Sequence, residues 1–193
     1  MASQVMVQAV REGGLFDPGA PVVAMLSGGR DSVCLLDLAV CLLGPEAVTA
    51  LHVNYGLRDD SDEDEAHCAR LCERLGCRLE IERPRRPEGP GNLQGWARDA
   101  RYSAAAKLAL SHRALIATGH TADDQVETIL YRLASSPSRR ALLGMRRQDG
   151  SLVRPLLGFS RAETTAYCEE RRLEWRDDPT NAKDGYARNR VRN

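Results

Sequence analysis

The feature that most constrains the fold is a short apolar run followed at once by a glycine-rich loop. Residues 21–26 read PVVAML, and residues 27–32 read SGGRDS. An apolar run of this length suits a strand that is buried on both faces, as in parallel sheets. The apolar segment that follows, residues 32–44, predicts a helix that Asp31 or Ser32 caps.

The same alternation of apolar runs and helical patterns continues along the chain. Further strands are predicted at 47–53, 78–82 and 114–119, and helices at 3–12, 61–75, 92–111 and 123–134. Strands that alternate with helices predict a doubly wound parallel sheet, which is an α/β fold of the Rossmann-like kind. The alternation stops near residue 135, after which only a helix at 160–171 is predicted. We therefore expect a core over residues 1–135, followed by a basic loop and helical extension over 136–193.

Composition narrows the class of protein. No apolar run approaches the ~18 residues that span a membrane, and residues 1–14 contain no long apolar stretch typical of a signal peptide. None of the six cysteines forms a C-x-x-C pair, so we interpret them as reduced thiols in a cytoplasmic protein. The 27 basic and 27 acidic residues give zero net charge, which neither favours nor excludes a nucleic-acid partner.

The SGGRDS loop has the residues of a phosphate site. Gly28 and Gly29 allow a tight turn and a close approach of the backbone to a ligand. The helix that follows presents free N–H groups to an anion, and Ser27 and Ser32 add hydroxyl donors. The loop has no lysine to hold a terminal phosphate, whereas Asp31 suits a contact with Mg²⁺. The alternative is a glycine-rich turn that begins a helix and binds nothing.

Three polar stretches should meet, because ligands of such sheets bind beyond the carboxyl ends of the strands. They are residues 27–32, 52–58 and 119–128. The third stretch contains Asp123, Asp124 and Glu127, and the last two are spaced i,i+3 on one face of a predicted helix. Acids at a helix N-terminus either complement its dipole or face a ligand. Their predicted position in the crevice favours a ligand.

The motifs resemble a known enzyme family. SGGRDS resembles the pyrophosphate loop of the N-type ATP pyrophosphatases, which adenylate a carbonyl oxygen and then let a nitrogen or sulfur nucleophile displace AMP. Within that group, the chain resembles the tRNA(Ile)-lysidine synthetases over roughly residues 20–193. The motifs that carry this resemblance, in their order, are LHVNYGLRDDSDEDE, NLQGWARDARY, ATGHTADDQVETILYRL, RPLLGFSRAETTAYC, WRDDPTN and YARNRVRN.

The resemblance implies a reaction and its partners. A ligase of this family uses ATP and Mg²⁺ to adenylate the wobble cytidine of tRNA(Ile) with a CAU anticodon. Free L-lysine then displaces AMP through its ε-amine. The resemblance also implies that the segment 136–193 completes the active site and contacts tRNA. A homodimer is common in the family.

The resemblance also implies a role for each candidate residue. The residues expected to bind ATP are Ser27, Gly28, Gly29, Arg30, Asp31, Ser32, His52, Gly119 and His120, with Asp31 also the candidate Mg²⁺ ligand. The residues expected to bind lysine are Asp123, Asp124 and Glu127. The catalytic residues are expected to be Asp31, Arg98, Asp124 and Glu127, with Glu127 a candidate general base. The residues expected to contact tRNA are Arg188, Asn189, Arg190 and Arg192.

Two other functions fit parts of the pattern. One is a tRNA thiolation enzyme of the same superfamily, which delivers sulfur instead of lysine. Such enzymes typically use a reactive cysteine pair, and the lack of a C-x-x-C pair argues against this alternative. The other is an ATP-binding module without chemistry, in which Asp31, Asp123, Asp124 and Glu127 have no reason to assemble.

Overall fold

A six-stranded sheet organises the part of the chain that the structure describes. The structure is a computed structural model, and it describes residues 1–87, 91–135 and 141–176. The strands are β1 (Val22–Met25), β2 (Val48–Val53), β3 (Arg78–Glu82), β4 (Leu115–Ala117), β5 (Gln148–Asp149) and β6 (Leu152–Val153). The helices are α1 (Ala2–Glu12), α2 (Arg30–Leu43), α3 (Ser61–Leu75), α4 (Leu93–His112), α5 (Ala122–Ser135) and α6 (Arg161–Glu170).

The strand order confirms the predicted α/β sheet. The order is β3-β2-β1-β4-β6-β5, and every neighbouring pair is parallel except β5 with β6. The chain runs outwards from β1 to β3 on one side and continues from β4 on the other. The point where this direction reverses lies between β1 and β4, and sheets of this type bind ligands there.

The prediction that the strand pattern ends near residue 135 is wrong. Strand β6 pairs with β4 in parallel, with Ile116 opposite Leu152 and Ala117 opposite Val153, and β5 completes the edge. Each of these two strands has only two residues, which is too short for a periodic pattern to be recognised. The proposed division into 1–135 and 136–193 stays a prediction.

Strand β1 is buried on both faces, as its apolar run predicts. Val22 and Ala24 belong to a core that also contains the buried face of α2, whereas Val23 and Met25 belong to a second core with Ala105 of α4. Successive residues of a strand point to opposite faces, so β1 anchors helices on both sides of the sheet. The carboxyl end of β1 is thereby held rigidly at the centre of the fold.

The N-cap of helix α2 lies two or three residues before the predicted cap. Gly29 is its N-cap, and no side chain caps the helix, so the prediction that Asp31 or Ser32 is the cap is wrong. The Ser32 hydroxyl instead donates to the Gly29 carbonyl at 2.7 Å. Because Asp31 lies in the first helical turn, its carboxylate is free to project beside the loop rather than to close the helix end.

Helix α6 is fixed against α2 by a buried polar contact. Asp37 of α2 is 1% exposed, and it accepts hydrogen bonds from the Tyr167 hydroxyl at 2.6 Å and from Arg171 Nε at 2.9 Å. Ser160 and Glu163 form a capping box that begins α6. These contacts determine where Arg161, the first residue of α6, enters the crevice. In the described residues, no helix is both long and apolar enough to cross a membrane.

Candidate active site

A cavity of about 630 Å³ lies at the carboxyl ends of β1 and β4. Ten of the residues expected to form the site line it: Ser27, Gly29, Arg30, Asp31, Ser32, Arg98, Gly119, His120, Asp124 and Glu127. These residues come from the loop after β1, the loop after β4, and helices α2, α4 and α5. The topology therefore brings together motifs that lie almost 100 residues apart in the sequence.

The SGGRDS loop, residues 27–32, is called the phosphate loop below, and hydrogen bonds of its own serines hold its shape. Ser32 Oγ accepts from the Ser27 backbone N–H at 3.2 Å and lies 3.1 Å from Ser27 Oγ. The backbone of Gly28 has a φ of +85°, a conformation that residues other than glycine rarely adopt. The loop thus leads directly into the N-terminus of α2, where backbone N–H groups lack carbonyl partners and favour an anion.

Gly119 brings the loop after β4 against the phosphate loop. A Cβ atom at this position would lie 2.8 Å from the Asp31 carbonyl oxygen and 3.2 Å from the Ser32 nitrogen. Both atoms are backbone atoms of α2, so they cannot move aside as a side chain would. A residue without Cβ is required here because the two strand ends approach so closely.

The Asp31 carboxylate is held at the edge of the loop. Its Oδ1 atom accepts from Thr164 Oγ1 at 2.6 Å and from Arg30 Nε at 3.1 Å. Across the described ranges, no group of three His, Cys, Asp or Glu side chains is arranged to hold a metal ion. Mg²⁺ that accompanies phosphates commonly keeps its waters and uses one or two carboxylates. A single Asp31 beside the phosphate loop fits that coordination chemistry.

The acids at the start of α5 surround an arginine that the sequence interpretation missed. Arg161 donates through Nη2 to Asp124 Oδ1 at 2.8 Å and through Nη1 to Glu127 Oε1 at 2.9 Å, and its backbone N–H donates to Asp123 Oδ2 at 2.8 Å. Burial lowers the pKa of the Arg161 guanidinium, but the Glu127 hydrogen bond and the nearby carboxylates outweigh it, so the pKa is raised. These acids therefore form a cation site and do more than complement the helix dipole.

Asp124 is held by its own loop as well. The Thr121 backbone N–H and hydroxyl donate to Asp124 Oδ2 at 2.8 and 2.9 Å. Thr121 is fully buried, so it fixes one oxygen of the carboxylate and leaves the other for a cation. The predicted i,i+3 pair of Asp124 and Glu127 does share one face, because both contact Arg161.

His120 lines the same cavity and is a neutral group. Burial lowers the pKa of its imidazole to about 4; the Asp124 charge opposes this shift, while the charges of Arg154, Arg101 and Arg98 reinforce it. Its Nδ1 atom lies 2.8 Å from Thr118 Oγ1. At neutral pH the ring is uncharged, so it can donate or accept a hydrogen bond without adding charge to the site.

Three arginines form a cationic wall on the side of the cavity near α4 and β6. We define this cationic wall as Arg98, Arg101 and Arg154, all of which line the cavity. Arg154 is 8% exposed, and its Nη1 donates to the Arg146 carbonyl at 2.7 Å. Of the three, only Arg98 was expected in the site. Arg154 lies in the quoted RPLLGF motif, but the motif by itself gave no indication of its position.

Other expected residues lie away from the cavity surface. His52 is 5% exposed, and its Nδ1 lies 3.0 Å from the Leu26 carbonyl, inside the protein. A Cβ atom at Gly28 would lie 3.4 Å from Cys68 Sγ, and Asp123 accepts from the backbone N–H of Arg161. These three residues are not among those that line the cavity. The expected tRNA contacts Arg188, Asn189, Arg190 and Arg192 lie outside the described residues.

The acidic residues in the run 59–65 lie at the start of α3, and several of them form ion pairs with arginines. Asp64 accepts from Arg176 Nε at 2.6 Å and also pairs with Arg58, and Glu63 accepts from Arg176 at 3.1 Å. The Arg176 backbone N–H donates to the Gly28 carbonyl at 3.0 Å. The run therefore connects the segment after α6 to the phosphate loop, a link that needed the tertiary structure to be seen.

The comparison with protein families is decisive once this geometry is known. The PP-loop domain family matches residues 4–193. The chain belongs to the PP-loop domain family. In this PP-loop domain, the matched range includes the phosphate loop, the acids of α5 and the cationic wall.

Curated relatives agree on one name. A tRNA(Ile)-lysidine synthase of Pseudomonas aeruginosa is 41% identical over 173 residues, which are 86% of this chain and 39% of that protein. A protein of the same name from Thermus thermophilus is 41% identical over 182 residues, which are 91% of this chain and 35% of that protein. The PP-loop domain thus spans about two-fifths of the length of the relatives that it matches.

Solved structures support the fold. The U34-tRNA thiolase NcsA from Methanococcus maripaludis has a TM-score of 0.82 at 18% identity, covering 97% of this chain and 69% of that one. An NH3-dependent NAD synthetase from Campylobacter jejuni has a TM-score of 0.65 at 17% identity, covering 90% of this chain and 73% of that one. At such identities the likeness concerns the architecture alone.

Proposed function

We propose that this PP-loop domain carries the active site of a tRNA(Ile)-lysidine synthase, a ligase that forms a C–N bond at the expense of ATP. The observation that carries the proposal is that Asp124 and Glu127 line the same cavity as the phosphate loop. An anion site and a cation site within one cavity suit a reaction in which a nucleotide phosphate activates a carbonyl oxygen and an amine then displaces AMP. The names of the curated relatives support the same reaction.

In the proposed reaction, the phosphate loop binds the β- and γ-phosphates of ATP. The N-terminus of α2 and the hydroxyl of Ser27 supply donors, and Ser32 supplies another when its hydroxyl turns from the Gly29 carbonyl to the phosphate. The carbonyl oxygen at C2 of the wobble cytidine attacks the α-phosphate, and pyrophosphate leaves. Arg98 stabilises the negative charge that forms. Asp31 would hold Mg²⁺, and the ion would supply positive charge to the phosphates.

The acids of α5 prepare the second step. Asp124 and Glu127 receive an ammonium group of free L-lysine, which takes the place of the Arg161 guanidinium that they now hold. Glu127 then accepts the proton that the ε-amine loses as it forms a bond to C2. The bond from C2 to the adenylated oxygen breaks, and AMP departs. Asp123 positions α6 through the backbone of Arg161.

The adenine and tRNA contacts extend this proposal. Gly119 and His120 border the cavity beside the phosphate loop, which suits the base of ATP. We retain Arg188, Asn189, Arg190 and Arg192 as proposed contacts to tRNA with a CAU anticodon, because arginine binds phosphate and stacks on bases.

The chain's cysteines argue against the thiolation alternative. All six are free, and none is among the residues that line the cavity. Burial raises the pKa of Cys68 to about 12, which opposes formation of a reactive thiolate. The likeness to the tRNA thiolase is one of architecture, so lysine remains the proposed nucleophile.

The test is incorporation of labelled lysine into a tRNA(Ile) transcript with a CAU anticodon, in the presence of ATP and Mg²⁺. Asp124→Asn should lower incorporation about 10- to 100-fold, because a charged hydrogen bond to the ammonium is lost. Asp149→Asn, an exposed site on β5 away from the cavity, is the matched control and should keep wild-type activity. Equal activity of both variants, or AMP formation that requires a sulfur donor in place of lysine, would contradict the proposal.

A further inference from the structure

The cationic wall contains nitrogen atoms whose hydrogen-bonding capacity is unused. Within the described residues, the Nε atoms of Arg101 and Arg154 are buried and have no hydrogen-bond partner. A buried guanidinium N–H without an acceptor is costly, and native proteins rarely leave one unpaired. Both side chains line the cavity. Because both residues border the cavity, a ligand bound there can supply acceptors to their guanidinium groups.

Arg154 is built into a fixed position. Its backbone N–H donates to the Arg147 carbonyl at 2.8 Å, and its Nη1 donates to the Arg146 carbonyl at 2.7 Å. With only 8% of the residue exposed, the guanidinium cannot turn out into solvent. Arg101 stands on α4, where its guanidinium carbon lies 5.7 Å from the centre of the Tyr102 ring. Two positioned guanidinium groups suit a planar oxyanion, which arginine binds well.

The carboxylates of the same cavity determine which anion fits. Asp124 and Glu127 form the cation site, and His120 lines the same cavity, where the charges of Asp124, Arg154 and Arg101 all affect the pKa of its imidazole. A ligand with an ammonium group at one end and a carboxylate at the other matches this distribution of charge. A nucleotide phosphate has a separate anion site already, at the N-terminus of α2.

We propose that Arg154 and Arg101 form an oxyanion subsite that binds the α-carboxylate of the amino acid substrate. This inference rests on the proposed function, because it takes lysine to be the molecule whose ammonium group reaches Asp124 and Glu127. The subsite selects a free amino acid over a simple diamine, since only the amino acid carries a carboxylate. Arg154 and Arg101 are thus specificity-determining residues.

The experiment compares two ligands that differ in the carboxylate alone. Binding of labelled L-lysine and of labelled cadaverine, which is lysine without its carboxylate, is measured by equilibrium dialysis in the presence of a non-hydrolysable ATP analogue. Arg154→Gln should weaken lysine binding about 10- to 100-fold, the size expected for a charged hydrogen bond. Cadaverine binding should change less than about twofold, because it makes no contact with the arginines.

Two further variants serve as controls. Arg154→Lys keeps the positive charge and should restore part of the affinity for lysine. Arg70→Gln removes one positive charge from an exposed site on α3 and should change neither ligand. Circular dichroism of each variant shows whether it is folded, and Arg101→Gln provides the same test if Arg154→Gln does not fold.

The outcomes separate this inference from the function on which it rests. If the wild-type protein binds neither lysine nor cadaverine, the proposed lysine function fails and the inference fails with it. If the wild type binds lysine and Arg154→Gln weakens both ligands equally, the subsite alone is wrong. If Arg154→Gln weakens the ATP analogue and leaves lysine unchanged, the arginines bind a nucleotide phosphate and the carboxylate assignment is overturned.

Discussion

The β1 end of the cavity is shaped mainly by backbone atoms, whereas the α5 end is formed mainly by charged side chains. The phosphate loop is shaped by glycines, by serine-to-backbone hydrogen bonds and by the close approach of Gly119 to α2. The α5 end is three carboxylates around Arg161, which comes from a different helix. The first end should therefore be sensitive to added atoms, and the second to charge, pH and salt.

The largest expected effect comes from filling the space at Gly119. Gly119→Val should weaken ATP binding more than about 100-fold, since its side chain meets backbone atoms of Asp31 and Ser32 that cannot yield. Calorimetric titration with an ATP analogue measures the effect. Gly158→Val is the control, because nothing lies within 4 Å of a Cβ at that position. Similar ATP affinities of the two variants would show that ATP binding does not need the close contact between the two strand ends.

The free energy of unfolding should depend on pH through His120, which lines the same cavity. The folded protein binds a proton at this imidazole only near pH 4, whereas the unfolded chain does so near 6.5. The unfolded state thus holds more protons between these values, so the free energy of unfolding should fall by about 3 kcal/mol as the pH drops from 6.5 to 4.

Urea unfolding at several pH values measures this change. His120→Asn should flatten the dependence of the free energy of unfolding on pH between pH 4 and 6.5. An unchanged slope in His120→Asn would mean that the imidazole is not kept neutral by burial.

A smaller effect is expected from Arg161, at the charged end. Arg161→Gln should lower the free energy of unfolding by about 1–2 kcal/mol, because its partly exposed ion pairs are lost and the carboxylates then repel one another. The loss should shrink in 1 M salt, where charges are screened. Urea unfolding at low and high salt checks this. A loss that does not depend on salt would indicate packing, and would weaken the contrast between the two ends.

The smallest expected effect concerns the start of α6. Ser160→Ala removes a side-chain acceptor for the Glu163 N–H and should cost about 1 kcal/mol of stability. Thermal unfolding measures it, with Ser103→Ala on the exposed face of α4 as the control. If Ser160→Ala is as stable as the control variant, the capping box does not determine where Arg161 enters the cavity.

The contrast also explains what the sequence could predict. The phosphate loop is one contiguous motif, and Asp124 and Glu127 are spaced within a single helix, so local rules found them. Arg154 and Arg161 act only after β6 and α6 pack beside β4 and α5, and no local pattern encodes that packing. His52 illustrates the same point, because its place at a strand end was foreseeable but its interior contact with Leu26 was not.

The most direct test of two chemically distinct ends is to follow both half-reactions in one single-turnover experiment with tRNA, ATP and labelled lysine. Ser32→Ala should lose pyrophosphate release and lysine incorporation together. Glu127→Gln should release pyrophosphate within about threefold of wild type but incorporate lysine about 100-fold more slowly, as expected for a lost general base. If Glu127→Gln loses pyrophosphate release as completely as Ser32→Ala does, the division of the cavity into a phosphate end and a lysine end is wrong.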